Sequence, residues 1–424
     1  MSSKSNSLNK KESKCEKCDN KYTNKKYKWC LPCERNYFLN NFTNWTSGNE
    51  KIDLFIQEMQ LKIEKWEDII FEWIPYDQFN DVKEISRNNF NIIYSAIWKN
   101  SNYMVMRYLT TNSNMEVNEY SINKNILKIY GISQNPETKN YFMVLQDGFC
   151  EKCGELYTNI KYKWCKSCQI DELKKNLVNW NGNKKIDDFI KEMQSRISKW
   201  SDIVFEWIPY DHFIGVKKIG EGGFATVYSA IWKDGPLKYN MYKKKYERVH
   251  LEMKKFALKA LNGSHNITDS FLNEVKAYSI STNMFDSNIL KIYGISQNPV
   301  TKDYIIILDH AEGGSFNDWI KVKYNNYINW KNKLHILHNI ISGLKEIHEN
   351  KLIHRDFHTG NILFDYPKYK KDIRVCISDM GLCGEVNNVD ETKIYGVLPY
   401  VAPEVLRGKP YTQMNWKHQI ILLT

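Results

Sequence analysis

The sequence predicts an α+β protein assembled around a partial internal duplication. Three observations carry this. The stretch from Val216, "VKKIGEGGFATVYSAIW", alternates like paired strands, whereas "ILHNIISGLKEIH" at 336–348 is an amphipathic helix. Long stretches recur in the same order in two copies. Eight of the ten cysteines fall in two clusters of identical spacing. At ~150 residues per domain, 424 residues allow about three compact units.

Composition removes several classes. With 42% hydrophobic and 26% charged residues, the chain is neither disordered nor fibrous. The longest apolar stretches, such as "YIIIL" at 304–308, are strand-sized, which argues against a membrane span or a membrane partner. The first residues, "MSSKSNSLNKKESK", form a polar, lysine-rich tail over 1–14 that does not read as a secretory signal, so a cytoplasmic setting is expected. A net charge of +11 permits phosphate ligands or nucleic acid without choosing between them. Because the lysines are scattered, nucleic acid is the weaker reading.

The cysteines are more specific. Cys15, Cys18, Cys30 and Cys33, and again Cys150, Cys153, Cys165 and Cys168, read C-x2-C-x11-C-x2-C. Two thiolate pairs joined by a short hairpin can surround one zinc ion tetrahedrally, so each cluster predicts a small zinc-ribbon-like module. Reduced thiols are expected, not disulfides. A redox pair would need C-x-x-C at a helix start after a strand, a pattern neither cluster suggests.

The clusters head a longer repeat. "YTNKKYKWC" at 22–30 returns at 157–165 with one change, "FEWIPYD" at 71–77 returns at 205–211, and "YSAIWK" at 94–99 returns at 228–233. "ILKIYGISQNP" at 126–136 returns at 289–299, so the offset grows from 134 to 163 and the first copy lacks 29 residues. The predicted units are therefore a zinc module with an amphipathic helix over 15–70, a strand-rich segment over 71–148, a second module and helix over 150–210, and a larger domain over 211–424. In the second helix Ile186, Phe189, Ile190, Met193 and Ile197 share one face, a stripe that predicts contact with a neighbouring unit.

From residue 216 the chain carries chemistry. Gly220, Glu221, Gly222 and Gly223 sit between two strand patterns, where glycine lets backbone N–H groups approach phosphates. A dinucleotide fold is excluded because a strand, not a helix, follows the loop. Then come "FALKAL" at 256–261, "SFLNEVKAYSI" at 270–280, "LDHAEGG" at 308–314, "HRDFHTGNIL" at 354–363, "SDMGL" at 378–382 and "YVAPE" at 400–404. In this order they resemble a eukaryotic protein kinase, nearest the tyrosine-kinase-like branch, over residues 211–413.

The resemblance implies a bilobal protein-kinase-like fold that uses ATP and Mg2+ on a protein substrate. It implies that Lys259 holds the α- and β-phosphates and is oriented by Glu274, and that Asn361 and Asp379 hold the metal. Asp356 would accept the substrate hydroxyl proton, and Arg355 would meet an activation-loop phosphate on Thr392 or Tyr395. Ile219, Val227, Ala257 and Leu363 would enclose adenine, with Leu308 as gatekeeper and Ala311 offering hinge backbone groups. "KYNMYKKKYERVHLEMKK" at 238–255 reads as a long hairpin with solvated lysines.

Several positions depart from the family pattern. His358 stands where serine/threonine kinases carry lysine, and Val397 where they carry threonine. After "APE" such kinases continue for about 60–80 residues, so the resemblance implies an incomplete helical lobe. The usual aspartate-bearing helix and the arginine that would pair with Glu404 are missing, and the helix at 336–348 loses cover. In the first copy "ISRNNFNIIY" at 85–94 replaces the glycine loop, and its missing residues are expected to include the strand with the lysine. Glu116 aligns with Glu274 but lacks a partner, so this copy reads as a degenerate, catalytically dead N-lobe. The leading expectation is a protein kinase acting preferentially on Ser/Thr in signalling. The alternatives are a catalytically impaired scaffold binding protein partners through the modules and helices, and a zinc-module nucleic-acid binder.

Overall fold

The computed structural model describes residues 14–87, 92–99, 104–108, 127–176, 183–223, 225–251, 253–264, 268–279, 287–327, 330–365, 373–385 and 394–415. Thr392 and Glu116 lie outside them. The chain divides into two compact units, Met1–Cys168 and Gln169–Thr424.

The first unit opens with the Cys15–Cys33 cluster, folded by short bridges between Lys14 and Lys21 and between Asn24 and Trp29. Helix α1 (Leu31–Asn41) starts directly after Cys30, with Pro32 in its first turn. Helix α2 (Glu50–Leu61) is capped by the Asn49 side chain, which accepts from the Lys51 N–H, and it buries Ile52 and Ile56 with Phe71 and Ile132. Strands β1 (Glu72–Trp73), β2 (Phe79–Arg87), β3 (Ile92–Trp98), β4 (Met104–Tyr108), β5 (Ile129–Gln134) and β6 (Tyr141–Gln146) form one sheet in the order β1-β5-β6-β4-β3-β2. The second cysteine cluster follows, and Phe149 beside it packs with Ile93, Met143 and Leu145 of that sheet. Helix α3 (Lys166–Asn176) begins directly after Cys165.

In the second unit, α4 (Lys184–Ser195) carries Ile186, Phe189, Ile190 and Met193 of the predicted apolar stripe and buries them within the unit's main core, whereas Ile197 is buried just past the helix end. Strands β7 (Glu206–Trp207), β8 (Phe213–Glu221) and β9 (Ala225–Trp232) follow. A hairpin of β10 (Leu237–Asn240) and β11 (Lys245–Arg248) occupies the segment predicted as one. Then come β12 (Lys255–Leu261), helix α5 (Asp269–Tyr278), β13 (Ile292–Gln297) and β14 (Tyr304–Asp309). The sheet order is β7-β13-β14-β12-β9-β8, strand for strand that of the first unit.

This correspondence corrects the expectation that the first copy lacks the lysine-bearing strand. In the second unit Lys259 lies between Val227 and Ile306. In the first, the repeat-equivalent Ile93 and Met143 both pair with Arg107. The strand is present, and an arginine takes the lysine's register position. The segment absent before it matches the β10–β11 hairpin. Sequence comparison misses this because "MVMRY" shares no word with "FALKAL"; only backbone pairing reveals the equivalence.

Of the hairpin's lysines, Lys243 and Lys245 are exposed as expected, whereas Lys238 and Lys244 are half-buried, and the exposed Arg248 at its end reaches a buried partner. The Arg248 guanidinium grips the buried Glu206 carboxylate through both nitrogens and lies 5.4 Å from the Trp232 ring centroid. Burial pushes the Glu206 carboxyl up to about 7, against the pull of Arg248. Where the first copy lacks the hairpin, the equivalent Glu72 is exposed.

The helical lobe contains α6 (Phe316–Tyr327), α7 (Trp330–Glu349), the short strands β15 (Gly314–Ser315), β16 (Leu352–Ile353), β17 (Ile362–Asp365), β18 (Arg374–Ile377) and β19 (Gly384–Glu385). Strands β15, β17 and β18 pair side by side, as do β16 and β19. Helix α7 buries Ile340, Gly343, Leu344 and Ile347, whereas Leu334 and Ile341 on another face are 61% and 47% exposed. A groove of about 330 Å³ runs along Ile341, Leu344, Lys345, His348, Glu349 and Gln413. Glu404 accepts a hydrogen bond from the Asn415 amide.

Both six-stranded sheets depend on a glycine beside their short parallel edge strand. A Cβ on Gly294 would lie 2.0 Å from the Glu206 carbonyl oxygen, and one on Gly131 would lie 1.8 Å from that of Glu72. Gly294→Ala should lower stability by about 1–3 kcal/mol, the usual cost of overpacking a tight contact. Thermal unfolding of the variant checks this, and an unchanged Tm would show that β7 shifts freely.

Candidate active site

The site starts with β12. Its alternation turns Lys259 inward, where only 7% of the residue is exposed. A bare ammonium there would be costly. Its Nζ instead lies 2.7 Å from Glu274 Oε1 and 2.7 Å from Asp379 Oδ1. Burial opposes the charge, but Tyr278, Glu274 and Asp379 surround it and hold the Lys259 pKa above its ordinary value. Burial raises the Glu274 pKa despite the lysine. For Asp379 the balance reverses: burial works against the carboxylate, and Lys259 outweighs it and holds the pKa below the usual value.

Helix α5 supplies more than Glu274. Thr268 caps it by accepting from the Phe271 N–H. One turn after Glu274, on the same face, the Tyr278 hydroxyl accepts the Asp379 backbone N–H at 2.8 Å. Asp379 itself stands in the left-handed region at φ +56. Tyr278 stands in no motif of its own, and its one signal in the sequence is the i, i+4 spacing from Glu274.

The loop after α7 sets the other wall. His354 is buried, and its Nε2 bonds the Ser378 carbonyl at 2.9 Å while Nδ1 accepts from the Asp356 N–H at 3.3 Å. Burial lowers its pKa, favouring the neutral ring that can bond both ways. His354 thus ties the Asp356 loop to the one carrying Asp379, a role that its place in "HRDFHTGNIL" alone does not reveal. Asp356 Oδ1 accepts from the Val397 N–H at 3.2 Å. The Asn361 amide donates to the Asp356 carbonyl at 2.9 Å and to Oδ2 at 3.3 Å. At Val397 the backbone reaches the aspartate, but the side chain has no hydroxyl to offer. His358 Nδ1 accepts from the Gly360 N–H at 2.9 Å, and its Nε2 lies 3.7 Å from Asp356 Oδ2.

Arg355, at φ +62, donates to the Glu385 carbonyl and lies 5.5 Å from the Tyr395 ring centroid. Tyr395 is held through its backbone, with its N–H donating to the Tyr411 hydroxyl at 2.8 Å.

Ala257 and Leu308 are buried in the unit's main core, with Val227 and Leu363 packed against it. Ile219 stands apart, 50% exposed, in the strand that carries Gly220 and ends at Glu221. The Glu221 carboxylate pairs with Lys218. Gly222 and Gly223 turn the chain, with the Gly222 N–H donating to the Ala225 carbonyl at 2.8 Å. Ala311 is half-buried in the connection between the lobes. Just before it, buried Asp309 receives Lys254 at 2.7 Å and the Tyr293 hydroxyl at 3.1 Å, with Arg374 of β18 at 3.5 Å. This ionic anchor behind the connection was also not foreseen: its partners are scattered in sequence.

A β-sheet lobe with a buried lysine–glutamate pair, joined to a helical lobe with an aspartate–asparagine loop and a second aspartate on the lysine, is the arrangement that the resemblance to protein kinases implies. Comparison with known proteins agrees. Residues 213–416 match the family model "Protein kinase domain". The chain is 27% identical over 208 residues to the "Probable serine/threonine-protein kinase gdt4" of Dictyostelium discoideum, covering 48% of this chain and 11% of that one. It is 28% identical over 208 residues to the "Probable LRR receptor-like serine/threonine-protein kinase At1g07650" of Arabidopsis thaliana, covering 47% and 18%. It is 33% identical over 117 residues to the "Serine/threonine-protein kinase Nek8" of Danio rerio, covering 27% and 16%. The chain thus spans less than a third of the length of these curated relatives. Among the described residues no helix is long and apolar enough to cross a membrane.

The depressed Asp379 pKa has a consequence for stability. The carboxylate's attraction to Lys259 is fully present above the ordinary aspartate value near 4 and is lost as pH falls through the lower folded value. The difference in Tm between wild type and Asp379→Asn should therefore shrink as pH is lowered from about 6 to about 3. A difference independent of pH would contradict the pairing.

Proposed function

We propose that the chain is an ATP-dependent protein kinase that transfers the γ-phosphoryl group of ATP to a protein hydroxyl, serine or threonine in preference to tyrosine. The observation that carries this is the Lys259 ammonium held between Glu274 and Asp379, with Asp356 and Asn361 bonded to each other on the facing loop. Phosphoryl transfer demands positioning and charge neutralisation more than covalent chemistry, and these residues supply both. Lys259 binds the α- and β-phosphates once ATP enters, and Glu274 keeps its amine oriented. Asp379 and Asn361 offer the oxygen ligands that Mg2+ prefers. A Mg2+ ion held there would neutralise charge on the phosphate oxygens. Asp356, aligned by the Val397 N–H and the Asn361 amide, receives the proton of the attacking hydroxyl. Val227, Ala257, Leu308 and Leu363 form the adenine wall, Ile219 and the glycine loop cover it, and Ala311 offers the hinge backbone. Arg355 receives an activating phosphate. The serine/threonine preference is supported by the printed names of the relatives and is opposed by His358 and Val397. We assign the reaction to cytoplasmic signalling.

Zinc at the two cysteine clusters belongs to the same reading. A tetrahedral ion with bonds of about 2.3 Å sets its sulfurs about 3.8 Å apart. The Cys15–Cys33 and Cys18–Cys30 sulfurs lie 3.6 and 3.5 Å apart. Those of Cys150–Cys168 and Cys153–Cys165 lie 3.7 and 3.6 Å apart. The second pair of each cluster does stand at a helix start, contrary to expectation, but its sulfurs face the other pair. That suits a four-sulfur site rather than a two-sulfur redox couple. All four sulfurs of each cluster are within 4.8 Å of one another. Such an ion is structural, with no position for a substrate. The first unit, with the same strand order and Arg107 in the lysine register, is read as a silent N-lobe copy.

Purified chain given Mg-ATP and a mixed peptide array should label serine and threonine peptides. Asp356→Asn should reduce the rate by at least about a hundredfold, the usual scale for removing a positioned base. Labelling that survives this substitution, or none from wild type, would refute the kinase reading and favour a scaffold. Metal analysis should find two zinc ions per chain, and Cys18→Ser should remove one. Absence of zinc would refute that assignment alone.

A further inference from the structure

Helix α4 lies upstream of the kinase domain match, which begins at residue 213. It nevertheless packs into the same core as α5, the helix that carries Glu274. Lys185 at its start pairs with Asp269 at the start of α5, at 2.9 Å. Seven residues on in each helix, Glu192 pairs with Lys276 at 3.6 Å. The two helices therefore run side by side in the same direction. Between these pairs the Phe189 ring lies 5.7 Å below the Lys276 ammonium. On its other side α4 is fixed to the sheet: the buried Gln194 amide donates to the Phe205 carbonyl at 3.0 Å, and the Phe189 and Phe205 rings meet edge to face at 6.0 Å. Phe205 immediately precedes β7, which pairs with β13.

We propose that α4 is a built-in brace that holds α5 against the sheet and so keeps Glu274 at Lys259, with Phe189, Glu192 and Lys276 as positioning residues. Phe189, Ile186, Ile190 and Met193 are buried because α5 and the Phe205 segment cover them. The salt bridges at either end set the register and, being exposed, add little stability themselves. What the brace supplies is orientation. A shift of α5 moves Glu274 off the lysine and carries Tyr278, hence the Asp379 backbone, with it. The ion-pair geometry and the metal-side loop are thereby tied to a segment outside the family domain.

The inference rests on the kinase reading for its activity readout, and a second readout is independent of it. In the full chain, Phe189→Ala should lower kcat about tenfold or more while KM for ATP changes less than about threefold, with Phe189→Leu recovering most of the rate. Glu192→Lys, on an exposed pair, should cost about two- to fivefold in kcat, restored when combined with Lys276→Glu. Hydrogen exchange should show faster exchange of α5 amides 271–278 in Phe189→Ala, with α7 amides unchanged. Unchanged α5 protection in Phe189→Ala, or no restoration by the charge exchange, would overturn the brace. A wild-type chain that transfers no phosphate would defeat the kinase reading, and the exchange data would still decide the brace.

Discussion

A single buried ammonium organises the second unit. Lys259 is placed in the interior by strand alternation, and an unpaired charge there would cost several kcal/mol. Two carboxylates from distant parts of the chain meet it, one from a helix 15 residues on and one 120 residues on. That requirement fixes the face of α5 that turns inward, the height of the Asp379 loop and the approach of the helical lobe to the sheet. Buried ion pairs are weak contributors to net stability. Their persistence here suits a site in which bound phosphates and a metal take over part of the pairing.

Around that centre the structure uses neutral hydrogen bonds to transmit position. Tyr278 links α5 to the Asp379 backbone, His354 links the Asp356 loop to Ser378, and Asn361 links Asp356 to itself and to Ser378. Behind the connection between lobes, Asp309 collects Lys254 from the sheet side and Arg374 from the helical side. Each lobe therefore holds part of the other's alignment, and α4 extends that alignment beyond the family domain.

The kinase-like strands and helices were legible in the sequence because their signals are local. The glycine-bearing turn and the apolar stripe from Ile186 follow from spacing over a few residues, and the helix of "SFLNEVKAYSI" and the hairpin near 238–255 follow from the ordered motifs around them. What escaped depends on pairing between distant segments. Arg107 in the lysine register could not be read from "MVMRY". Nor could the Arg248–Glu206 pair, since a hairpin arginine and a strand glutamate give no shared pattern. His354 and Tyr278 were visible as residues but not as links, because a hydrogen bond to a backbone group leaves no side-chain partner in the sequence. The stripe on α4 was read as a contact face, and its partner proved to be α5 and the sheet of its own unit.

The most direct measurement is equilibrium binding of ATP to the full chain with and without Mg2+, repeated for Lys259→Met and Asp379→Asn. A site built on this ammonium and these oxygen ligands predicts tighter binding with the metal. It also predicts at least a tenfold loss, about 1.4 kcal/mol, in each variant. Equal affinity in all three proteins, indifferent to Mg2+, would contradict the account.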